Sequence, residues 1–384
     1  MKTAGVTPAK TKRWAVVIGI GLALYPVHNK WLTDITSIDG QATVFVPALA
    51  TVVWLMGTCI FLLNHWHDLD WGDRRVYVPL LLIVGAIGLS GVTADSWGER
   101  VAPLFMGSSL FALYLVARLL GRDVFIPLAI GVALASFGII IRGMLYPGLL
   151  TGGFVFEGNY DIATGYVLLG AALAMYRWQW GLVGLALVAM FISGSPEAVF
   201  VLAVLGAFVL WRRDWSKRLL FVLAPLLLLG GLYFAVGHGQ ELYAFTVHTI
   251  RGDTTAPYPE QMNRSVGNTA VSGRWDVVTM EMGDLQPLGK GYNLTAFSKV
   301  EMVHNVPLVI VQQLGWPGIL AGLAWLWVTV WCLVKTKWRY VWVLILALSV
   351  FDHYIWTQLA PLYWAVVGVS TASTIESDLM FRRE

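Results

Sequence analysis

Residues 303–318, VHNVPLVIVQQLGWPG, put a histidine and an asparagine at the head of an apolar run and two glutamines inside it. An imidazole there can take a proton from an acceptor hydroxyl near neutral pH. The plainer role for His304 is an interfacial ring bonded to a carbonyl. Upstream, in SGRWDVVTMEMG (residues 272–283), Trp275, Val278 and Met282 fall at helical spacing, and Ser272 suits an N-cap. Arg274 then stands in the first turn of a short helix. Backbone N–H groups at a helix start favour an anion, and a guanidinium fork beside them can grip phosphate oxygens in two places. Alternatively Arg274 pairs with Asp276 or a lipid headgroup. In QPLGKGYN (residues 286–293) two glycines flank Lys290 after a proline. Such a turn can cup phosphate through its N–H groups or be a turn and no more. Arg264, in NRSVGN, is a further cation of the same segment.

The elements that must position these residues are apolar. The 384 residues are 57% hydrophobic and 13% charged, with a mean hydropathy of +0.68. That composition excludes an ordinary soluble enzyme and points to an all-α, polytopic membrane bundle. The runs are continuous and lack the alternation of barrel strands. Twelve spans are expected, at residues 14–27, 43–63, 76–92, 101–120, 124–141, 162–176, 180–192, 198–211, 219–236, 306–334, 338–351 and 354–369. The basic, apolar N-terminal stretch has no small-x-small cleavage site after it and reads as a retained first span. With the N-terminus inside, eighteen of the 26 Lys and Arg residues fall on the inner side, and five of the eight outer ones share one loop. This is the bias that orients membrane proteins, and it sets both termini in the cytoplasm. Cys59 and Cys332 lie in apolar runs and read as small hydrophobes.

Three regions follow: spans 1–9 (residues 1–236), a large extracytoplasmic loop with short amphipathic helices (237–303), and spans 10–12 with the C-terminus (304–384). A connection of that length is rarely idle, so the loop is expected to be the outward-facing functional element. The tenth span is too long. Thirty residues from Asn305 would make about 45 Å of helix, against a hydrocarbon core of about 30 Å. It must protrude, tilt or break, and GWPG (315–318) supplies the place to break. His304 and Asn305 would then stand near the outer boundary, with Gln312 and Gln313 lining a water-accessible pocket.

In order, SGRWDVV, PLGKGYN and HNVPLVIVQQLGWPG resemble the signature region of the O-antigen ligase and O-antigen polymerase superfamily of bacterial membrane glycosyltransferases. The matching positions are Arg274, Pro287 to Gly291, His304, Asn305, Leu308, Gly315 and Gly318. GGFVFEGNYDIATGY looks like the family's Gly-Phe then Asn segment, with Asn159 as the matching residue, and FDHYIWT is similar to late segments of members. Where many members carry a Ser-Arg pair, this chain has Ser195, Pro196 and Glu197, so the motif does not place a second diphosphate-binding cation, for which Arg142, Arg264 or Lys290 could substitute.

The resemblance implies a GT-C-like helical fold in the bacterial cytoplasmic membrane. It also implies transfer of a glycan from undecaprenyl diphosphate to a lipid- or glycan-borne acceptor hydroxyl on the outer face, with no cofactor and no metal. Arg274, Arg264, Lys290, Arg142 and Asn159 would bind diphosphate or glycan. His304 would orient or deprotonate the acceptor, and Asn305 would hold the imidazole or a sugar hydroxyl. Partners would be the carrier-linked donor, the acceptor and the bilayer, with no nucleic acid. Ligase and polymerase differ only in acceptor. A lipid-linked glycan flippase or other transporter is the rival from a different class. It needs ionisable groups near mid-membrane, and the spans hold few: Arg118 near an inner end, with Glu197 and Asp352 at outer ends. A non-catalytic scaffold would leave Arg274, His304 and Asn305 without a task.

Overall fold

The computed structural model describes residues 8–31, 49–92, 97–145, 160–175, 179–193, 201, 204, 285–289, 291–292, 305–351 and 353–380. Among them the only regular structure is helical. The α-helices are α1 (Pro8–Trp31), α2 (Leu49–Asn64), α3 (Arg74–Ser90), α4 (Trp97–Leu120), α5 (Ile126–Leu145), α6 (Tyr160–Met175), α7 (Trp180–Ser193), α8 (Val306–Leu314), α9 (Trp316–Lys335), α10 (Arg339–Phe351) and α11 (Ala360–Met380). Two helical runs, Pro103–Leu145 and Trp316–Lys335, are long and apolar enough to cross a membrane. The first bends, because Gly121 takes φ +69° and a 3₁₀ turn over Gly121–Phe125 separates α4 from α5. Expected span 8 apart from Val201 and Val204, all of expected span 9, and the long loop up to residue 284 lie outside the described residues.

The chain forms two compact units. One comprises Val132–Asp284; in it Gly143 lies against Ile192 and Gly170 against Val132, which brings α7 and α6 onto the later part of α5. The other joins Met1–Gly131 to Leu285–Glu384, so the end of the long loop clusters with the first and last helices. In this unit α3 and α4 run antiparallel, since Gly88 faces Leu104 while Gly107 faces Val84 and Ile87. Helices α4 and α11 run side by side, with Gly368 pressed on the Tyr114 carbonyl and the Arg118 N–H. A Cβ on Gly368 would sit 3.0 Å from that nitrogen, so glycine is what permits the approach.

The expected tenth span is two helices. Gly315 adopts φ +65°, ψ −142°, ends α8 and starts α9. The chain then doubles back: Gly318 meets the Ile310 carbonyl, Val311 and Leu314, and Gly322 meets the Pro307 carbonyl. A straight helix would hold residues 307 and 322 about 22 Å apart, so α8 and α9 form a hairpin. The twelfth helix also begins later than expected, at Ala360 rather than 354. Pro361 suits the first turn of a helix, and residues 354–359 are turns instead.

At one end of this unit the turn between α2 and α3 is tied to α4. Arg118, 7% exposed, donates from Nε to the Asp70 carbonyl at 2.9 Å and from Nη2 to the Asp70 carboxylate. Tyr114 donates its hydroxyl to the Trp71 carbonyl at 2.9 Å. Gly72, at φ +81°, lies over the guanidinium where a Cβ would be 2.8 Å from Cζ. Trp327 of α9 reaches the same end and donates to the Arg75 carbonyl at 2.9 Å.

Partial burial raises the Asp70 carboxyl, but the Arg118 hydrogen bond, the Gly72 N–H and the guanidinium charge outweigh it and hold the group below its ordinary value. A carboxyl with a depressed folded pKa contributes stability that is complete above the unfolded value, about 3.9, and is lost as pH falls toward the folded one. Asp70→Asn is therefore expected to lower the thermal midpoint at pH 7 and to flatten its decline below about pH 4, measured by differential scanning fluorimetry of the purified protein. Gly315→Ala is a second test of the fold. An alanine there is strained by roughly 1–3 kcal/mol from backbone conformation alone, and its Cβ would collide with the Gly289 N and the Gln286 and Pro287 carbonyls. Loss of monodisperse protein, or a midpoint depressed by several degrees, is the expected result.

Candidate functional site

Two of the motif segments meet at the tip of the hairpin. Residues 285–289 and 291–292 form a turn in which Gly289 donates to the Gln286 carbonyl at 3.0 Å, and Gly289 and Gly291 take φ +74° and +95°. The turn is bonded through its backbone: Gly291 donates to the Gln313 carbonyl at 2.9 Å, and Trp316 donates to the Pro287 carbonyl at 2.9 Å. Gly289 and Gly315 face each other so closely that a Cβ on either would strike the other segment's backbone. Gly289 and Gly315 are thus fixed by the close approach of two segments of the chain, which only glycine permits at positive φ.

Side chains of this turn and of two further elements complete the contact. Trp356 donates from Nε1 to Gln313 Oε1 at 2.8 Å. The Tyr292 hydroxyl donates to the Trp356 carbonyl at 3.1 Å, and the two rings meet edge to face with centroids 5.3 Å apart. The Tyr292 N–H donates to Ser90 Oγ at 3.2 Å, and Ser90 in turn donates to the Ile87 carbonyl at 2.7 Å. His353, buried, packs its ring on Tyr354 and accepts the Trp356 and Thr357 N–H groups at its carbonyl. Leaving a buried amide oxygen unpaired costs about 1–3 kcal/mol, so the Gln313–Trp356 bond is what makes a glutamine tolerable at this position.

Gln312 and Gln313 are 1% and 0% exposed. They face packed protein, and the expectation that they line a water-accessible pocket is corrected. The physical reason is the indole N–H of Trp356, which gives the Gln313 amide a protein partner in place of water.

Asn305, half-buried, is the N-cap of α8. Its Oδ1 accepts the Leu308 N–H and its Nδ2 donates to the Val350 carbonyl at the end of α10, both at 3.3 Å. Because Pro307 has no N–H and the Val309 N–H is taken by the Asn305 carbonyl, the start of α8 has little donor capacity for an anion. Any cations for a diphosphate must come from elsewhere. The hairpin also sets the level of Pro307, beside the second turn of α9 at Gly322, about 10 Å along the helix from Gly315. Arg142 is in the last turn of α5, half-buried and engaged in an interaction of its own, within the Val132–Asp284 unit. His304, Arg274, Arg264, Lys290 and Asn159 lie outside the described residues.

Sequence reasoning missed Ser90, Tyr292 and Trp356. Tyr292 and Trp356 stood inside segments already singled out, QPLGKGYN and FDHYIWT, whereas Ser90 carried no signal beyond closing an apolar run. Comparison with family models, with characterised proteins and with solved structures finds no match to this chain.

Replacing an asparagine cap by alanine costs about 1 kcal/mol. Asn305→Ala is expected to destabilise the protein by about that amount in chemical unfolding, and Asn305→Asp, which keeps the acceptor for Leu308, by less. Equal losses would assign the effect to the Val350 bond instead.

Proposed function

We propose that the chain is a polytopic membrane glycosyltransferase of the O-antigen ligase type. It moves a glycan from undecaprenyl diphosphate to an acceptor hydroxyl on the outer face of the bacterial cytoplasmic membrane, with both termini in the cytoplasm. The observation that supports this most is the meeting of two segments that carry the resemblance, Pro287–Gly291 and Gly315, in one hydrogen-bonded contact. A membrane setting is supported by α9. Its outer face shows Leu320, Leu323 and Trp327 at 64%, 60% and 54% exposure, while Ala321, Trp325 and Val328 are buried on the opposite face. A helix apolar all round yet half exposed calls for lipid.

In this reading the donor's anomeric carbon–oxygen bond to the diphosphate breaks, and the leaving group gathers negative charge. Arg274 would stabilise that charge, assisted by Arg264, Lys290 or Arg142, as fixed cations do in a site that excludes water. His304 would take the proton of the acceptor hydroxyl as its oxygen attacks. Asn305, held by α8 and α10, would fix where the preceding His304 enters the bundle. No metal is required of this chemistry. Acceptors compatible with it are a lipid-anchored core or protein, for a ligase, and a second carrier-linked repeat unit, for a polymerase.

The broken α8–α9 helix favours a second reading, a transporter of lipid-linked glycans, because discontinuous helices recur at transporter binding sites. Against it stands the character of the break: the Gly315 tip is filled by the 285–292 turn, and Gln313 is bonded to Trp356.

Reconstituted protein with lipid-diphosphate glycan and candidate acceptors separates these readings. Transfer is expected with and without chelator, and His304→Ala and Arg274→Ala are each expected to reduce it by at least 100-fold, roughly the scale of losing a general base or a charge stabiliser. Chelator-sensitive transfer would refute the metal-free mechanism. Translocation of donor without transfer would support the transporter.

A further inference from the structure

We propose that Gln313 and Trp356 are positioning residues, forming a buried latch that holds the 285–292 turn on the hairpin tip and thereby sets the rate of glycosyl transfer. The proposal rests on the glycosyltransferase reading for its catalytic part and on geometry alone for the latch. Gln313 is bonded to both arms of the contact: its backbone carbonyl accepts the Gly291 N–H at 2.9 Å and its side-chain Oε1 accepts the Trp356 N–H at 2.8 Å. Trp356 closes the ring from the other side, since its carbonyl takes the Tyr292 hydroxyl and its ring lies edge to face against Tyr292. All three side chains are at most 3% exposed.

Three elements distant in sequence are thus joined by a short circuit of hydrogen bonds: the 285–292 turn, the last turn of α8, and the 354–359 turn. The twelve residues from 293 to 304 leave from one point of this circuit, Tyr292, and return at Asn305, which is itself pinned to α10. Tyr292 and Asn305, the residues on either side of the segment that carries His304, therefore both belong to the same packed unit. Loosening the latch frees one end only. Catalytic geometry tolerates little displacement, about 1 Å being enough to cost 100-fold, whereas donor binding through Arg274 assisted by Arg264 lies outside the 285–292 turn, and a KM that rises with the latch broken would assign the assisting cation to Lys290 within it.

The test uses full-length protein in nanodiscs. Gln313→Leu removes the acceptor, Trp356→Phe removes the donor while keeping an aromatic ring, and the double variant closes a cycle. Hydrogen exchange read by mass spectrometry over residues 285–304 is expected to accelerate at least tenfold in each variant, with peptides from α4 and α11 unchanged. In the transfer assay kcat is expected to fall about tenfold with KM for the lipid-diphosphate donor within twofold of wild type. The double variant should lose no more than the worse single one, because both remove the same bond. Unchanged exchange over 285–304 in both single variants would overturn the latch, and faster exchange with unchanged kcat would overturn its role in turnover. Should wild-type protein transfer no glycan to any acceptor, the glycosyltransferase reading fails, and with it the catalytic part of the proposal. The exchange comparison still decides whether the latch exists.

Discussion

The arrangement depends on one steric constraint: the backbone of Gly315 and the backbone of Gly289 occupy space that a single methyl group on either would fill. Gly315, at φ +65°, ψ −142°, lets the chain reverse between α8 and α9, and the turn around Gly289 seals the reversal through Gly291 to Gln313 and Pro287 to Trp316. A chain reversal leaves N–H and carbonyl groups that a straight helix would have paired. In an apolar interior these must find protein partners. The 285–292 turn supplies them, which is why the hairpin and the end of the long loop make one structure rather than two.

Several features of the candidate site follow from that reversal. Folding α8 back on α9 sets Pro307 beside Gly322 instead of about 22 Å from it, and brings Asn305 within reach of Val350. It also turns Gln313 toward Trp356, so a residue that would be costly in lipid is satisfied by an indole. The same unit is tied at its other end by Arg118, whose guanidinium spans the turn between α2 and α3. One end of the unit therefore carries a buried cation paired with a carboxylate, and the other a neutral hydrogen-bonded circuit of Gln313, Trp356, Tyr292 and Ser90.

How much of this the sequence discloses varies with the range of the interaction. Helix positions were legible, because long apolar runs mark helices by length alone: α3, α4, α7 and α10 lie within four residues of the expected spans at each end. The break at Gly315 was legible too, from a run too long for one span and a Gly-Trp-Pro-Gly stretch within it. Its direction was not. A glycine at positive φ allows many exits, and the one taken is chosen by Gly289, 26 positions earlier. The same lack of range explains the glutamines. Their polarity suggested water, and the partner that removes that need for Gln313 lies 43 residues away. Asn305 has a local signature of its own, since asparagine followed by Val-Pro-Leu suits an N-cap with proline in the first turn. The later start of α11 likewise lay in plain view at Pro361.

The hairpin is the claim on which the rest stands, and a paired-cysteine measurement reaches it directly. In a Cys59→Ala, Cys332→Ala background, Pro307→Cys combined with Gly322→Cys brings two thiols together if α8 folds back, because a Cβ at 322 lies 3.6 Å from the Pro307 carbonyl oxygen. Mild oxidation in the membrane is predicted to form an intramolecular disulfide. An uninterrupted helix would hold the two about 22 Å apart, and thiols that remain fully free under oxidation would contradict the hairpin and the site built on it.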